Sequence, residues 1–290
     1  MSIRYGTTTQ NIDVTSICMN RLLVNGTIII PSSDHLRAFF FSDPVVGALK
    51  SVFINNTGYD HTKTIYVNTE TFAATACDPA NKLRGYQAPL KIKYGTFQEE
   101  NPEQEMAAIY IRGEEKVLEI GGNIGRNSLI IANILKKKNN NNFVVMECDK
   151  NISNQLANNR DLNGFDFKIE SSALSKRKLI QKGWDTIVSD IVLNGYKPVD
   201  TITFADLTQK YNIVFDTLVL DCEGAFYYIL MDMPEILDNI TLIIMENDYH
   251  NITPKNYIDT VLKERKFSVC YSRGGGWGPC SSKFFEVWKR

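Results

Sequence analysis

Long hydrophobic runs are missing from this 290-residue chain. None approaches the roughly 18 apolar residues that span a bilayer, so no membrane partner is expected. The opening Met1-Ser-Ile-Arg-Tyr-Gly6 lacks the charged-then-apolar layout of a secretory signal, which makes a cytoplasmic location the expectation. Excess charge of one sign is missing too. A net charge of −1 and a pI near 6.3 provide no basic field for nucleic acid, and none is expected as a partner. The six cysteines, Cys18, Cys77, Cys148, Cys222, Cys270 and Cys280, contain no C-x-x-C pair, so neither a zinc ribbon nor a redox dithiol is indicated. Several lie in apolar strand-like runs, where a reduced cysteine behaves as a small buried hydrophobe.

What is present centres on Val117-Leu-Glu-Ile-Gly-Gly-Asn-Ile-Gly125. A short apolar run ends in an acid and a glycine cluster, and helical spacing then runs through Leu129, Ile131, Ala132 and Leu135. Strand, tight turn and helix in that order open a nucleotide-binding α/β sheet. Gly121, Gly122 and Gly125 allow a sharp turn and close approach of a ligand, and the helix start offers free N–H groups. A dinucleotide site calls for G-x-G-x-x-G, whereas this chain has G-G-x-x-G with Glu119 two places ahead. An acid so near would repel a pyrophosphate and suits the ammonium of S-adenosylmethionine (SAM). A purely structural strand-to-helix turn would also use glycine, and both readings stand on this stretch alone.

Residues 1–85 read as a small β-rich accessory module, with strand-type runs at Val24–Ile30, Lys50–Ile54 and Lys63–Val67 and helical spacing from Ile12 to Leu23. Phe39-Phe-Phe41 is expected in its core, and turn residues cluster at Pro79–Gln87, where the junction is expected. Asn101 to Gly113 reads as a helix capped by Asn101, with Pro102 in the first turn and Glu103 and Glu105 at its positive end. Strands and helices then alternate, which argues for a largely parallel sheet. Glu147 ends the strand after the glycine unit, at the place of an acid that binds ribose hydroxyls. Lys176–Thr201 reads as irregular, a hairpin or a loop. Asp221-Cys-Glu-Gly224 and Glu246 end two further strands, so acids collect where open α/β sheets place ligands. Strands at Phe267–Tyr271 and Lys283–Trp288 flank Gly274–Gly278, which either closes over an acceptor or only joins the pair.

From about Glu115 to Arg290 the chain resembles the FkbM family of SAM-dependent methyltransferases. Leu118-Glu-Ile-Gly-Gly-Asn-Ile-Gly125, Leu162-Asn-Gly164 leading to Ser172-Ala-Leu-Ser175, and Leu220-Asp-Cys-Glu-Gly224 carry the resemblance. The family usually has D-V-G-A-N-x-G and F-E-P, where this chain has Glu119, Gly122 and Met146-Glu-Cys148. The resemblance implies a doubly wound Rossmann-like class I methyltransferase sheet over 86–290, closed by an antiparallel strand pair. It also implies O-methylation of a sugar, glycan or small hydroxylated metabolite. Glu119, Gly121, Gly122, Asn123 and Gly125 would hold the amino-acid end of SAM, Glu147 the ribose, and Ser172 and Ala173 the adenine. Asp221 and Glu223 would stand by the transferred methyl.

An alcohol needs a base or a cation to lose its proton, and Asp221, Glu223, Glu246, Asp248 and His250 are the candidates. Catechol O-methyltransferase-like enzymes hold Mg²⁺ with an Asp after the fourth strand and an Asp-Asn pair after the fifth. Asp221, Glu246 and Asn247 stand at equivalent strand ends, so Mg²⁺ is a candidate second cofactor. A nucleic-acid methyltransferase would want N-P-P-Y or D-P-P-Y where the chain has D-C-E-G. A scaffold in a glycan-assembly complex that binds SAM without turnover is the non-enzymatic alternative. The Asn-rich loops fit an AT-rich, viral genome and with it a host cytoplasm.

Overall fold

The computed structural model describes residues 2–290. Its centre is a seven-stranded sheet: β1 (Val117–Ile120), β2 (Phe143–Met146), β3 (Lys168–Glu170), β4 (Thr217–Leu220), β5 (Leu242–Glu246), β6 (Ser268–Arg273) and β7 (Phe285–Lys289). The spatial order is β3-β2-β1-β4-β5-β7-β6. All pairs are parallel except β5–β7 and β7–β6. This is the α/β, doubly wound sheet with a closing antiparallel pair that the sequence led us to expect. The central strands β1, β2, β4 and β5 are buried on both faces, so they read as nearly continuous apolar runs. Side chains alternate between two cores: Val117, Val145, Val219 and Ile244 enter one, and Leu118, Val144, Leu218 and Ile243 the other.

Residues 2–77 carry two four-stranded antiparallel sheets and the helices α1 (Thr15–Arg21) and α2 (Asp34–Phe41). In α2, Phe40 and Phe41 are buried while Phe39 remains 59% exposed. Both helices touch β6, and Lys289 Nζ donates to the Asn20 carbonyl at 3.2 Å. The N-terminal core is continuous with the first face of the large sheet.

The turn cluster expected at 79–87 is instead helix α3 (Pro79–Gln87), because Asp78 caps it by accepting from Asn81 N and Pro79 suits its first turn. Residue 85 lies inside this helix. Helix α3 packs on α4 (Asn101–Tyr110), and α4 packs on α5 (Arg126–Lys136). The cap of α4 also differs from expectation. Glu100, in the left-handed region at φ 56°, is its N-cap residue, and Asn101 donates its amide to the Gln98 carbonyl.

The segment 176–201 forms a three-stranded antiparallel sheet in which Leu179–Lys182 is central, between Asp185–Val188 and Lys197–Val199. It leaves Trp184, Val188, Ile191 and Val192 more than half exposed. The remaining helices are α6 (Lys150–Leu162), α7 (Phe204–Tyr211, capped by Thr203), α8 (Ala225–Asp232) and α9 (Ile252–Glu264). Helix α7 was not anticipated.

Candidate functional site

A cavity of about 730 Å³ opens at the carboxyl ends of β1, β2, β4 and β5. Its wall joins the glycine turn (Gly121, Asn123), the end of β2 (Glu147, Cys148), the stretch Ser172–Ser175, the turn after β4 (Asp221, Cys222, Glu223), and Glu246 with Phe285. Part of the three-stranded sheet, Leu179, Gln181, Trp184, Ile187 and Val188, forms another side.

The glycines are fixed first by the protein itself. At Gly121, φ is 91°, and an added Cβ would coincide with the Asp221 carbonyl oxygen. At Gly125, φ is 94°, and a Cβ would overlap Leu156 of α6. The turn is therefore structurally required whether or not a ligand approaches it. Its shape nevertheless brings the β1 and β4 turns into direct contact at the cavity wall, with Asp221 N donating to Ile120 O at 3.1 Å.

Glu147 is 7% exposed, and both oxygens are held by backbone amides: Asn123 N at 3.0 Å and Asp149 N at 2.9 Å. Burial raises its pKa against the pull of these two amides. Ser172 is buried and donates to Glu170 at 2.9 Å, while Ala173 pairs in parallel with Thr201 beside the cavity. Glu119 lies behind the turn and is not part of the cavity wall. It accepts from Ser128 Oγ at 2.5 Å, and burial pushes its pKa up to about 8 against that bond.

Two acids from α4 enter the site. Glu100 lines the cavity, accepts from Asn123 Nδ2 at 3.1 Å and pairs with Arg126 at 2.6 Å, and Arg126 also meets Glu99. Glu103 is 8% exposed, and its carboxylate comes together with those of Asp221 and Glu246, all within 4.8 Å of one another. The sequence reading had placed Glu103 only at the positive end of its helix. The available signal was the density of acid at Glu99, Glu100, Glu103 and Glu105, immediately before the glycine unit.

Electrostatic strain concentrates here. Burial, then Glu100, Glu103, Glu223 and Glu119, hold Asp221 well above the usual carboxylate range. Glu246 is pushed up to about 11 by burial, a hydrogen bond with Glu103 and the charge of Asp221. Glu223 rises to about 8, chiefly through its hydrogen bond with Asp248 and then through burial. Among the described residues, no Lys or Arg forms an ion pair with Glu103, Asp221 or Glu246.

Two expected site residues lie elsewhere. Asn247 follows Glu246 on the chain, and successive side chains leave a strand in opposite directions. Its amide donates to the Lys283 carbonyl at 2.7 Å and to Glu286 at 3.1 Å, so the expected Asp221–Glu246–Asn247 ligand set does not assemble. Glu103 stands in its place. His250 is exposed, lies against the Trp277 ring at 4.7 Å, and is absent from the cavity wall. Gly278 follows on the same loop, beyond Gly274–Gly276, and leads into a short helical turn.

No family model matches the chain, and no curated protein does. Solved structures similar to it include a ribosomal protein L11 methylase from Lactobacillus delbrueckii subsp. bulgaricus, at 14% identity over 69% of this chain and 81% of that one, TM-score 0.42. An O-methyltransferase from Bacillus cereus in complex with SAH is 14% identical over 73% of this chain and 90% of that one, TM-score 0.40. A tRNA m1G37 methyltransferase from M. jannaschii is 13% identical over 80% of this chain and 58% of that one, TM-score 0.40.

Proposed function

We propose that the chain is a SAM-dependent O-methyltransferase of FkbM type, acting in the cytoplasm on a hydroxyl of a sugar, glycan or small hydroxylated metabolite. Residues 1–85 serve it as an accessory module. The observation that supports this reading is the single cavity shared by the glycine turn, an amide-anchored Glu147 and the acids around Asp221. The residues present fit the cofactor. Glu147 has its oxygens oriented by two N–H groups and keeps lone pairs for a vicinal diol, the pattern a ribose requires. The uncompensated Asp221 at the β4 turn, beside Glu103 and Glu246, suits a ligand carrying an ammonium and a sulfonium.

When bound, SAM supplies an electrophilic methyl group. The protein has to hold the acceptor oxygen in line and remove its proton. Asp221 is the proposed base: it ends β4, is half-buried and lines the cavity beside the glycine turn. Glu223, exposed at the edge of the cavity, is the residue proposed to pass the departing proton to water. Glu119, tied to Ser128 beneath the turn, positions the loop amides rather than meeting the ligand itself.

Calorimetry with SAM and SAH, followed by methyl transfer to a panel of hydroxylated acceptors, tests this reading. Saturable SAM binding and a methyl ether product are expected. Absence of SAM binding to the folded protein would remove the proposal, and binding without transfer to any acceptor would favour the scaffold.

A further inference from the structure

We propose that Glu103, Asp221 and Glu246 form a binding site for one hard divalent cation, of the Mg²⁺, Mn²⁺ or Ca²⁺ class. Binding of the ion rests on these three residues alone. Its use, holding and acidifying the acceptor hydroxyl, rests on the methyl-transfer reading.

The first support is geometric. Two ligands of one ion cannot be further apart than twice the metal–oxygen distance, about 4.2 Å for Mg²⁺ and about 4.6–5.2 Å for Ca²⁺. One carboxylate oxygen from each of Glu103, Asp221 and Glu246 falls within 4.8 Å of the other two. Three oxygens that close share a point no more than about 2.8 Å from each, so an ion of the larger radius reaches all three after a small closure and Mg²⁺ after a larger one. Three carboxylates without nitrogen or sulfur select hard cations over zinc or copper.

The second support is independent of the first. Glu103 is 8% exposed, and no N–H or hydroxyl group of the described residues donates to its Oε2. A buried carboxylate oxygen left without a donor is costly, and native proteins seldom leave one. The residue cannot readily swing out to water, because the helix that carries it is buried from Met106 to Tyr110. Asp221 and Glu246 also line the cavity, so an ion held by the three would keep open positions towards a ligand there.

The competing arrangement is a proton shared between Glu103 and Glu246, with no ion. The two are separable without any measurement of turnover. Wild-type protein is titrated at neutral pH with MnCl₂, CaCl₂ and MgCl₂ by calorimetry, and its thermal unfolding is followed in EDTA and in each salt. One ion per chain and a Tm raised by the ion are expected. Glu103→Gln should weaken ion binding by about tenfold or more, unfold at a higher temperature than wild type in EDTA, and lose the ion-dependent rise. Glu246→Gln should behave alike and serves if the first variant does not fold. Glu105→Gln, on the same helix but paired with Arg273, should bind the ion as wild type does. Absence of ion uptake by wild type at millimolar salt, or loss of uptake in Glu105→Gln as well, overturns the site. SAM binding without ion uptake sinks this site and leaves the methyltransferase standing, whereas ion uptake without SAM binding does the reverse.

Discussion

Two groups of buried and half-buried acids flank β5, and they are solved differently. On one side Glu286, 3% exposed, accepts from the fully buried Lys255 at 2.6 Å, from Trp288 Nε1 at 3.1 Å and from Asn247 Nδ2 at 3.1 Å. Lys255 also reaches Asp259 and lies over the Trp288 ring. On the other side Glu246 meets Glu103 and Asp221, and all the charge there is of one sign. The first group carries its own cation, Lys255, and fastens α9 to the strand pair, while Asn247 Oδ1 is left without a donor. Among the described residues, no Lys or Arg pairs with the second. An acid that the chain neutralises serves the architecture, and one that it leaves unbalanced is where we propose that a cation from outside binds.

The largest effect expected concerns the unbalanced side. Asp221→Asn keeps shape and removes charge, so turnover should fall by about 10²–10⁴ while SAM affinity changes only a few-fold. Near-full turnover on the true acceptor would take Asp221 out of the chemistry. On the balanced side, Lys255→Met should cost about 3–5 kcal/mol of stability, because it strands Glu286 and Asp259. Denaturant unfolding measures this, and a loss below about 1 kcal/mol, the range of an exposed pair, would erase the contrast between the two groups.

Glu147 tests a third condition, an acid balanced by amides. Glu147→Ala should weaken SAM binding by about 1.5–3 kcal/mol, and unchanged affinity by calorimetry would place the ribose elsewhere. The smallest effect per step is a pH slope from Glu119, which has one hydroxyl partner and no cation. Its folded pKa of about 8 lies above the ordinary 4.5. The folded state then binds a proton that the unfolded state has released, so its stabilisation is full below the ordinary value. It is lost as pH rises through that window, by at most about 1.4 kcal/mol per pH unit. Glu119→Gln should flatten the slope of stability between those two values, and an unchanged slope would show that Glu119 is ionised throughout.

Much of the fold could be read because its signals are local. The strand β1, the glycine turn and the alternation of apolar runs with helical spacing lie within windows of ten or so residues. Glu147 was placed by counting from Gly125. The three-stranded sheet at 176–201 is not legible, because Trp184, Val188, Ile191 and Val192 are exposed and give no alternation against a core. Helix α3 was hidden by Gly85 and a polar composition that looks like turns, although Asp78-Pro79 is a helix-start signal. Glu103 could not be placed in the site, because its position depends on how α4 lies over β5, a contact between segments more than a hundred residues apart. The opposed directions of Glu246 and Asn247, by contrast, follow from strand periodicity alone.

The lean of α1 and α2 against β6 has a consequence for synthesis. Residues 15–41 leave the ribosome more than two hundred residues before Ser268–Arg273, the strand they pack on. At about 5–20 residues per second, the nascent chain carries that uncovered apolar surface for on the order of 10–45 s. Residues 15–41 must wait for Ser268–Arg273, and the bond from Lys289 to Asn20 closes later still. Until then a chaperone can bind that surface, and a chain broken off before Ser268 never covers it.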